Sequence, residues 1–333
     1  MTLLLPQQQA AAEPIDQPLS GETIQQVGPG LYYSGRDAYE VHEMDVPGVL
    51  MSRQHSVVAE SDSVAAAQDA PDSRAEMGVF GPSWEAEFAG GQLNRKLEQQ
   101  GEAIVVTDLG VDEHLRYDLT SSVEFPSGGG VKKYTSANGS KITETSRWND
   151  STATLDTSVV EVINADLTTT APGDDVFVNA AGAPMAAADL KPTFKWEQIA
   201  AGSDTWRVIS VGTNTYATGV DYDAQGRVAE ITTPAYGDKL ATSSTVTYAG
   251  ATTATSSSLG DYAGQVKQIT VTEGATTQTL ARYAYDSSGL LRTVTDPTEG
   301  SEPEATYTYD DDDRLSDITS PTNGSWALDF SSG

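Results

Sequence analysis

Arg282-Tyr-Ala-Tyr-Asp-Ser-Ser-Gly-Leu-Leu-Arg-Thr-Val-Thr-Asp-Pro297 decides the reading of this chain, because the chain writes it more than once. Tyr307-Thr-Tyr-Asp-Asp-Asp-Asp-Arg-Leu-Ser-Asp-Ile-Thr-Ser-Pro321 repeats it, and Val220-Asp-Tyr-Asp-Ala-Gln-Gly-Arg-Val-Ala-Glu-Ile-Thr-Thr-Pro234 is an earlier copy. Each copy is a short run ending in Tyr-Asp, a tight turn of small or acidic residues, then a run alternating apolar and polar residues up to a proline. That is the pattern of a β-hairpin. The aligned tyrosines are Tyr222, Tyr285 and Tyr309. The interval from Tyr285 to Tyr309 is one repeat, and the longer interval before Tyr285 has room for two or three degenerate ones. Hairpins that cannot bury a face alone stack on their neighbours into a continuous sheet.

The copies resemble the tyrosine-aspartate (YD) repeats of the Rhs family, which also includes wall-associated polymorphic toxins, the shells of insecticidal toxin complexes and the teneurins. The match to Tyr-x-Tyr-Asp-x-x-Gly-x-Leu-x-x-Ile/Val-Thr is close in two copies and looser in the first, where Val220 replaces the leading Tyr. The residues that carry it are Tyr222, Asp223, Gly226, Tyr283, Tyr285, Asp286, Gly289, Tyr307, Tyr309 and Asp310. Gly78-Val-Phe-Gly-Pro-Ser-Trp84, preceded by Val46-Pro-Gly-Val-Leu-Met-Ser-Arg-Gln-His-Ser56, looks like the entry to an Rhs shell, with Phe80, Gly81, Pro82 and Trp84 as its structural residues. Ser83 stands where the family has Gly, and Gln54-His55 stands where it has Tyr-Asn. Physically, Gly81-Pro82 sets a rigid turn while Trp84 and Phe88 supply large apolar surface to anchor a strand on a curved sheet.

Composition narrows the classes. The chain of 333 residues carries 19 Lys and Arg against 48 Asp and Glu, a net charge of −29, which disfavours nucleic acid and anionic membranes as partners. Cysteine is absent, excluding disulfides, thiol catalysis and thiolate metal sites. No stretch reaches the roughly 18 apolar residues of a membrane-spanning helix, and Met1-Thr-Leu-Leu-Leu-Pro6 does not have the pattern of a signal peptide.

Taken in order, residues 1–30 are rich in Gln, Ala and Pro and read as a poorly ordered lead-in. Residues 31–77 read as an N-terminal anchoring segment, residues 78–219 as the entry hairpins of a shell, and residues 220–333 as YD-repeat hairpins cut in mid-repeat. Among the entry hairpins, Ala103–Asp108 pairs with His114–Leu119 around Leu109-Gly110, and Asn138-Gly139 is the strongest two-residue turn signal. Leu155–Leu167 offers Val159, Val160, Val162 and Ile163 as a buried strand. Val176-Phe-Val178 is a further short strand, and the alternation of Asp204–Val211 puts Trp206 and Val208 on one face and Arg207 and Ile209 on the other. Leu240–Tyr248 and Val266–Leu280 are weaker repeat members, and only Met185–Leu190 hints at helix. Because the pattern breaks off inside a hairpin, the array is expected to continue beyond Gly333 or to meet an assembly partner that covers the edge.

Residues suited to chemistry are scattered. His42, His55 and His114 lack the short spacing of a helical metal site, and no Gly-x-Ser-x-Gly is present. Glu85 with Glu87 and Asp221 with Asp223 each share a strand face in the manner of glycosidase carboxylates, but with 48 acids such pairs arise by chance. Asp310 to Asp313 is the sharpest charge cluster. Asp310, Asp312 and Asp313 come nearest to a calcium site, although the EF-hand spacing is missing and the run falls in the hairpin turn. Asn138, Asn149 and Asn323 fit the glycosylation triplet, with Asn138 and Asn323 equally explained as turn residues.

We therefore expect an all-β protein, a curled and mainly antiparallel sheet of repeated hairpins with almost no helix, with no catalytic residue, no cofactor and no metal. The resemblance implies a structural part: the N-terminal portion of a β-shell enclosing a toxin or effector in a secreted or injected protein. Its partners would be the rest of a longer chain or further copies, and an enclosed toxin domain. The alternative is an extracellular surface protein, adhesin or coat subunit that uses the repeat sheet for glycan or cell contact. Either reading places it outside the cell, on its surface or inside a target.

Overall fold

The computed structural model describes residues 24–34, 38–48, 50–58, 78–89, 91–109, 113–164, 187–199 and 205–329. These form an all-β protein of antiparallel strands, with two short 3₁₀ turns at Gly91–Leu93 and Ala187–Leu190 and no α-helix among the described residues. The second 3₁₀ turn falls where the sequence hints at helix. Val176–Val178 lies outside the described residues. The chain divides into two compact units, residues 1–94, 227–230 and 243–333 in one and residues 95–226 and 231–242 in the other. The N-terminal strands fall in the same unit as the last hairpins of the chain.

The first unit opens with a meander: β1 (Ile24–Val27), β2 (Gly30–Tyr33), β3 (Ala38–Met44), β4 (Ser52–Val58) and β5 (Trp84–Ala86), each hydrogen-bonded to the next. β1 already lies inside the stretch whose composition suggests a disordered lead-in. Gly28, at φ +57°, turns the chain back, and the Tyr39 hydroxyl donates to the Val27 carbonyl at 2.8 Å, tying β1 to β3. Met51, just ahead of β4, and Arg53 and His55 on it face inward and are all buried.

The second unit contains β6 (Arg95–Gln100), β7 (Ala103–Asp108), β8 (Glu113–Glu124), β9 (Gly129–Ser136), β10 (Lys141–Asn149), β11 (Thr154–Val162), β12 (Thr193–Gln198), β13 (Thr205–Gly212) and β14 (Ala217–Tyr222). Sequential antiparallel pairing runs from β6 to β13, and β13 then returns to pair with β6 through Thr205 opposite Glu98 and Trp206 opposite Leu97. The expected curling thus goes to completion here, as a closed eight-stranded barrel of consecutive hairpins. Its inward face can be followed around the ring through cross-strand partners: Leu97 opposite Val106, Ile104 opposite Tyr117, Tyr134 opposite Ile142, Ile142 opposite Glu161, Val159 opposite Trp196, Trp196 opposite Val208. All of these are buried. Eight strands leave an interior just wide enough for side chains to fill. On β13, Trp206 and Val208 are buried and Arg207 and Ile209 are not, as the alternation requires. On β11 the outcome differs from the apolar reading of Val159 to Ile163: period-two alternation carries Glu161 inward with Val159, while Val160 and Val162 are only half-buried.

β15 (Val228–Thr233) has residues in both units, and β16 (Thr242–Tyr248), β17 (Val266–Glu273), β18 (Thr276–Tyr285), β19 (Leu291–Thr295), β20 (Ala305–Tyr309), β21 (Leu315–Ser320) and β22 (Gly324–Ala327) complete the chain. In the first unit β17 to β22 pair consecutively. The two clear YD copies have the same register: Tyr283 faces Val294 and Tyr285 faces Leu291, while Tyr307 faces Ile318 and Tyr309 faces Leu315, with a bulge before Tyr285 and before Tyr309. Leu291, Val294, Leu315 and Ile318 are all buried, so the apolar set of both copies points to one side.

Candidate functional site

The repeat begins with its aspartate. Asp286 Oδ1 accepts from the Ser288 and Leu290 amides at 3.0 and 3.1 Å, and Asp310 Oδ1 accepts from the Asp312 and Arg314 amides at 3.0 and 2.9 Å. Asp223 Oδ1 takes the Gln225 amide at 2.9 Å. Such a side chain mimics a backbone turn and fixes the hairpin. The turn then needs a residue at positive φ, supplied by Gly226 at +83°, Gly289 at +91° and, in the last copy, Asp313 at +60°. A non-glycine residue is tolerated there because aspartate is among the few that enter the left-handed region.

The acidic run Asp310 to Asp313 is thereby accounted for as a turn held by its own cation. Arg314 Nε donates to Asp310 Oδ2 at 2.8 Å and its guanidinium reaches Asp312 at 3.3 Å. Burial pushes the Asp310 carboxyl up, but the backbone and side-chain hydrogen bonds from Arg314 outweigh it and hold the pKa below the ordinary value. Among the described residues no group of three or more His, Cys, Asp or Glu is placed to hold a metal ion.

The tyrosine of the pair reaches backwards. Tyr222 OH donates to the Val208 carbonyl at 2.5 Å, Tyr248 OH to Val228 at 2.8 Å, Tyr285 OH to Val266 at 2.6 Å and Tyr309 OH to Leu291 at 2.9 Å. In the last three the acceptor lies two residues after the turn glycine of the preceding hairpin, Gly226, Gly264 or Gly289, so each phenol spans from one repeat to the one before it. Arginine faces add to the contact, with Arg207, Arg227 and Arg292 lying 4.1, 3.9 and 5.5 Å from the rings of Tyr222, Tyr248 and Tyr309. Tyr248 is a full member of this ladder that the sequence conceals, since no aspartate follows it and its glycine, Gly264, lies far downstream.

The entry residues meet the same tyrosines. Phe80, Trp84 and Phe88 are buried, with Phe80 4.8 Å from Tyr283 and 5.7 Å from Phe88, and Trp84 5.1 Å from Tyr307. Trp84 Nε1 donates to Tyr309 OH at 2.9 Å. Gly81, at φ +102°, presses against the turn of the first clear repeat: a Cβ there would stand 2.5 Å from the Gly289 carbonyl oxygen. Pro82 has no amide hydrogen to satisfy in this crowded turn.

Beneath these rings is a charge cluster that the sequence reading did not single out. Arg53 is 1 % exposed and forms a bidentate pair with Asp45 at 2.6 and 2.8 Å, while its guanidinium carbon lies 4.2, 5.0 and 5.9 Å from the ring centres of Trp84, Tyr307 and Phe80. Arg53 Nη2 also donates to Tyr307 OH, and Tyr283 OH donates to Asp45 Oδ2 at 3.1 Å. Burial opposes the Arg53 charge, but Asp45 and the facing tyrosines outweigh it, and the guanidinium pKa stays well above its ordinary value. Beside it Glu43, 2 % exposed, accepts from Ser320 Oγ at 2.9 Å and Asn323 Nδ2 at 3.0 Å. Burial raises the Glu43 pKa against the pull of Arg53 and these two donors. Asn323 is committed to this cluster, since its amide nitrogen also donates to the His42 carbonyl at 2.7 Å.

The barrel of the second unit has a counterpart. Glu161, fully buried, receives Arg95 in bidentate fashion at 2.8 and 3.0 Å, the Tyr117 hydroxyl at 2.6 Å and the Trp196 indole nitrogen at 3.2 Å. Burial, followed by the Glu161 charge, pushes the Tyr117 pKa far up. The paired carboxylates of the sequence do not converge with these groups: Glu87 is held by Ser52 Oγ at 2.6 Å and Asp223 by its turn.

This geometry joins hairpins to hairpins. The family model described as RHS Repeat matches residues 285–325, the stretch that begins at Tyr285 and takes in the next copy. Among curated proteins none matches the chain at a significant level. The turn aspartates and the backward-reaching tyrosines agree with the matched stretch, and residues 285–325 are similar to the RHS repeat.

Proposed function

We propose that this chain is a structural, non-catalytic wall segment of an Rhs-type shell, one that encloses a toxin or effector carried by the same secreted or injected protein. The observation that carries this reading is the tyrosine ladder. Its hydroxyls go to the backbone of the neighbouring hairpin, and within each unit the buried charges pair with one another and with tyrosines of that unit. Polar chemistry committed inward in this way supports a wall. The test is limited proteolysis of the full-length polypeptide bearing this segment. A shell protects the enclosed domain until the wall is weakened, so Tyr285→Phe combined with Tyr309→Phe should make that domain cleavable at protease levels that leave the parent intact. A domain cleaved equally fast in both proteins argues against enclosure.

A second reading, contact with a glycan or another cell, is supported by Trp148 and Leu155, a cross-strand pair on β10 and β11 with 46 % and 47 % exposure. An aromatic ring on a wet strand is a stacking platform for sugars. Glycan-array binding lost in Trp148→Ala would favour this second reading.

A further inference from the structure

We propose that His55 is an acid-sensitive latch, whose protonation releases the N-terminal strands β3 to β5 from the tyrosine faces of the YD hairpins in the same unit. The proposal is independent of whether the protein encloses a cargo.

His55 is completely buried, and neither ring nitrogen has a hydrogen-bond partner. Its ring meets Trp84 of β5 edge-on at 4.8 Å and Tyr309 of β20 at 6.1 Å. It therefore sits at the contact between the N-terminal sheet and the repeats. The groups around it favour a neutral imidazole. Val41 of β3 is its cross-strand partner and is apolar. Arg53, two residues earlier on the same strand face, is a buried cation with Trp84 against its guanidinium. From β20 come the hydroxyls of Tyr309, which receives Trp84, and Tyr307, which receives Arg53. Arg292 of β19 lies against the Tyr309 ring. The nearby carboxylates are engaged, Asp45 by Arg53 and Tyr283, and Glu43 by Ser320 and Asn323. An imidazolium here joins one buried guanidinium, that of Arg53, without a carboxylate of its own.

Burial, and then the Arg53 charge, lower the His55 pKa from 6.5 to about 3. Above pH 6.5 neither the closed nor the open form holds the proton, and the latch is silent. Below it the open form protonates first, so opening gains about tenfold per pH unit until the closed form titrates too. At pH 5 the gain is about 30-fold. Glu43 acts with the opposite sign: its raised pKa makes the closed form take up a proton more readily, so acid strengthens closure through that group.

The test is hydrogen exchange of the intact chain at pH 7 and pH 5, corrected for intrinsic rates and read on peptides from Ala38–Met44 and Ser52–Val58. The parent should show about 30-fold more opening at pH 5 in these strands, with β9 and β10 unchanged. His55→Phe and His55→Gln, which cannot acquire charge, should abolish the response, and Glu43→Gln should keep it. A parent whose protection is the same at both pH values, or His55 variants that loosen as much as the parent, would overturn the latch. If neither His55 variant folds, imidazole NMR of the parent decides, since the chain has three histidines. A His55 resonance titrating near 6.5 in the folded chain overturns the proposal, and one that stays neutral to below pH 5 upholds it.

Discussion

Replacing Arg53 with methionine should be among the most damaging single changes in the first unit, and its size can be worked from the contacts. The side chain is 1 % exposed and its partner Asp45 6 %, so among the described residues the substitution leaves a buried carboxylate with Tyr283 as its remaining side-chain donor. Removing one member of a buried pair costs about 3–5 kcal/mol. Loss of the guanidinium against Trp84 adds about 1–2 kcal/mol, which the apolar methionine partly returns. The chain has no cysteine, so Val41→Cys, a fully buried site on β3, provides a clean reporter of opening. Its labelling by a thiol reagent at fixed pH should accelerate by two to four orders of magnitude in Arg53→Met, about tenfold for each 1.4 kcal/mol. Adding Asp45→Asn should recover about 2 kcal/mol, since the orphaned charge is then gone. Labelling within tenfold of the parent, or no recovery in the double variant, would refute the argument that the ion pair clamps these strands.

Other substitutions separate the remaining contacts. Tyr309→Phe removes the partner of both the Trp84 indole and the Leu291 carbonyl and should cost about 2–4 kcal/mol, against about 1 kcal/mol for Tyr248→Phe, which removes the bond to the Val228 carbonyl; denaturant midpoints at constant slope would rank them. Gly81→Ala should destabilise by more than about 2 kcal/mol because its Cβ would meet the Gly289 carbonyl at 2.5 Å, whereas Asp313→Gly should be neutral or slightly stabilising, both read from thermal midpoints. Glu161→Leu strands Arg95, Tyr117 and Trp196 inside the barrel and should cost about 3–5 kcal/mol, and a loss below 1 kcal/mol would show that the barrel tolerates the unpaired guanidinium.

Periodicity made the strands legible. Asn138-Gly139, the Trp206-Val208 face and the Tyr-Asp-x-x-Gly turns all follow from local chemistry, in which a turn residue or a period of two suffices. The apolar rows of the clear repeats were equally readable, because Leu291 with Val294 and Leu315 with Ile318 are three residues apart on either side of the same bulge geometry. Closure of β6 to β13 into a barrel was not readable, since no short-range signal pairs Trp206 with Leu97. Nor were the buried charges. Arg53, Asp45, Glu43, Arg95 and Glu161 look like solvated residues until tertiary pairing supplies their partners from 8 to 280 positions away. Tyr248 escaped for a third reason: its turn is long, so the fixed spacing that reveals the other tyrosines is lost.

That long turn shows what the ladder measures. From acceptor carbonyl to tyrosine the separations are 20, 19 and 18 residues for Tyr248, Tyr285 and Tyr309, almost constant, while the stretch from Tyr248 to the next acceptor absorbs a much longer excursion. Each tyrosine gauges its distance from the preceding hairpin and ignores the length of the turn that follows it. Sequence can therefore be inserted after any Tyr-Asp without disturbing the spacing of later strands. The bond also has a direction, because the acceptor always belongs to the residue made earlier. As the polypeptide leaves the ribosome, every new hairpin finds its docking carbonyl already in place, and the array can grow in the order in which it is translated.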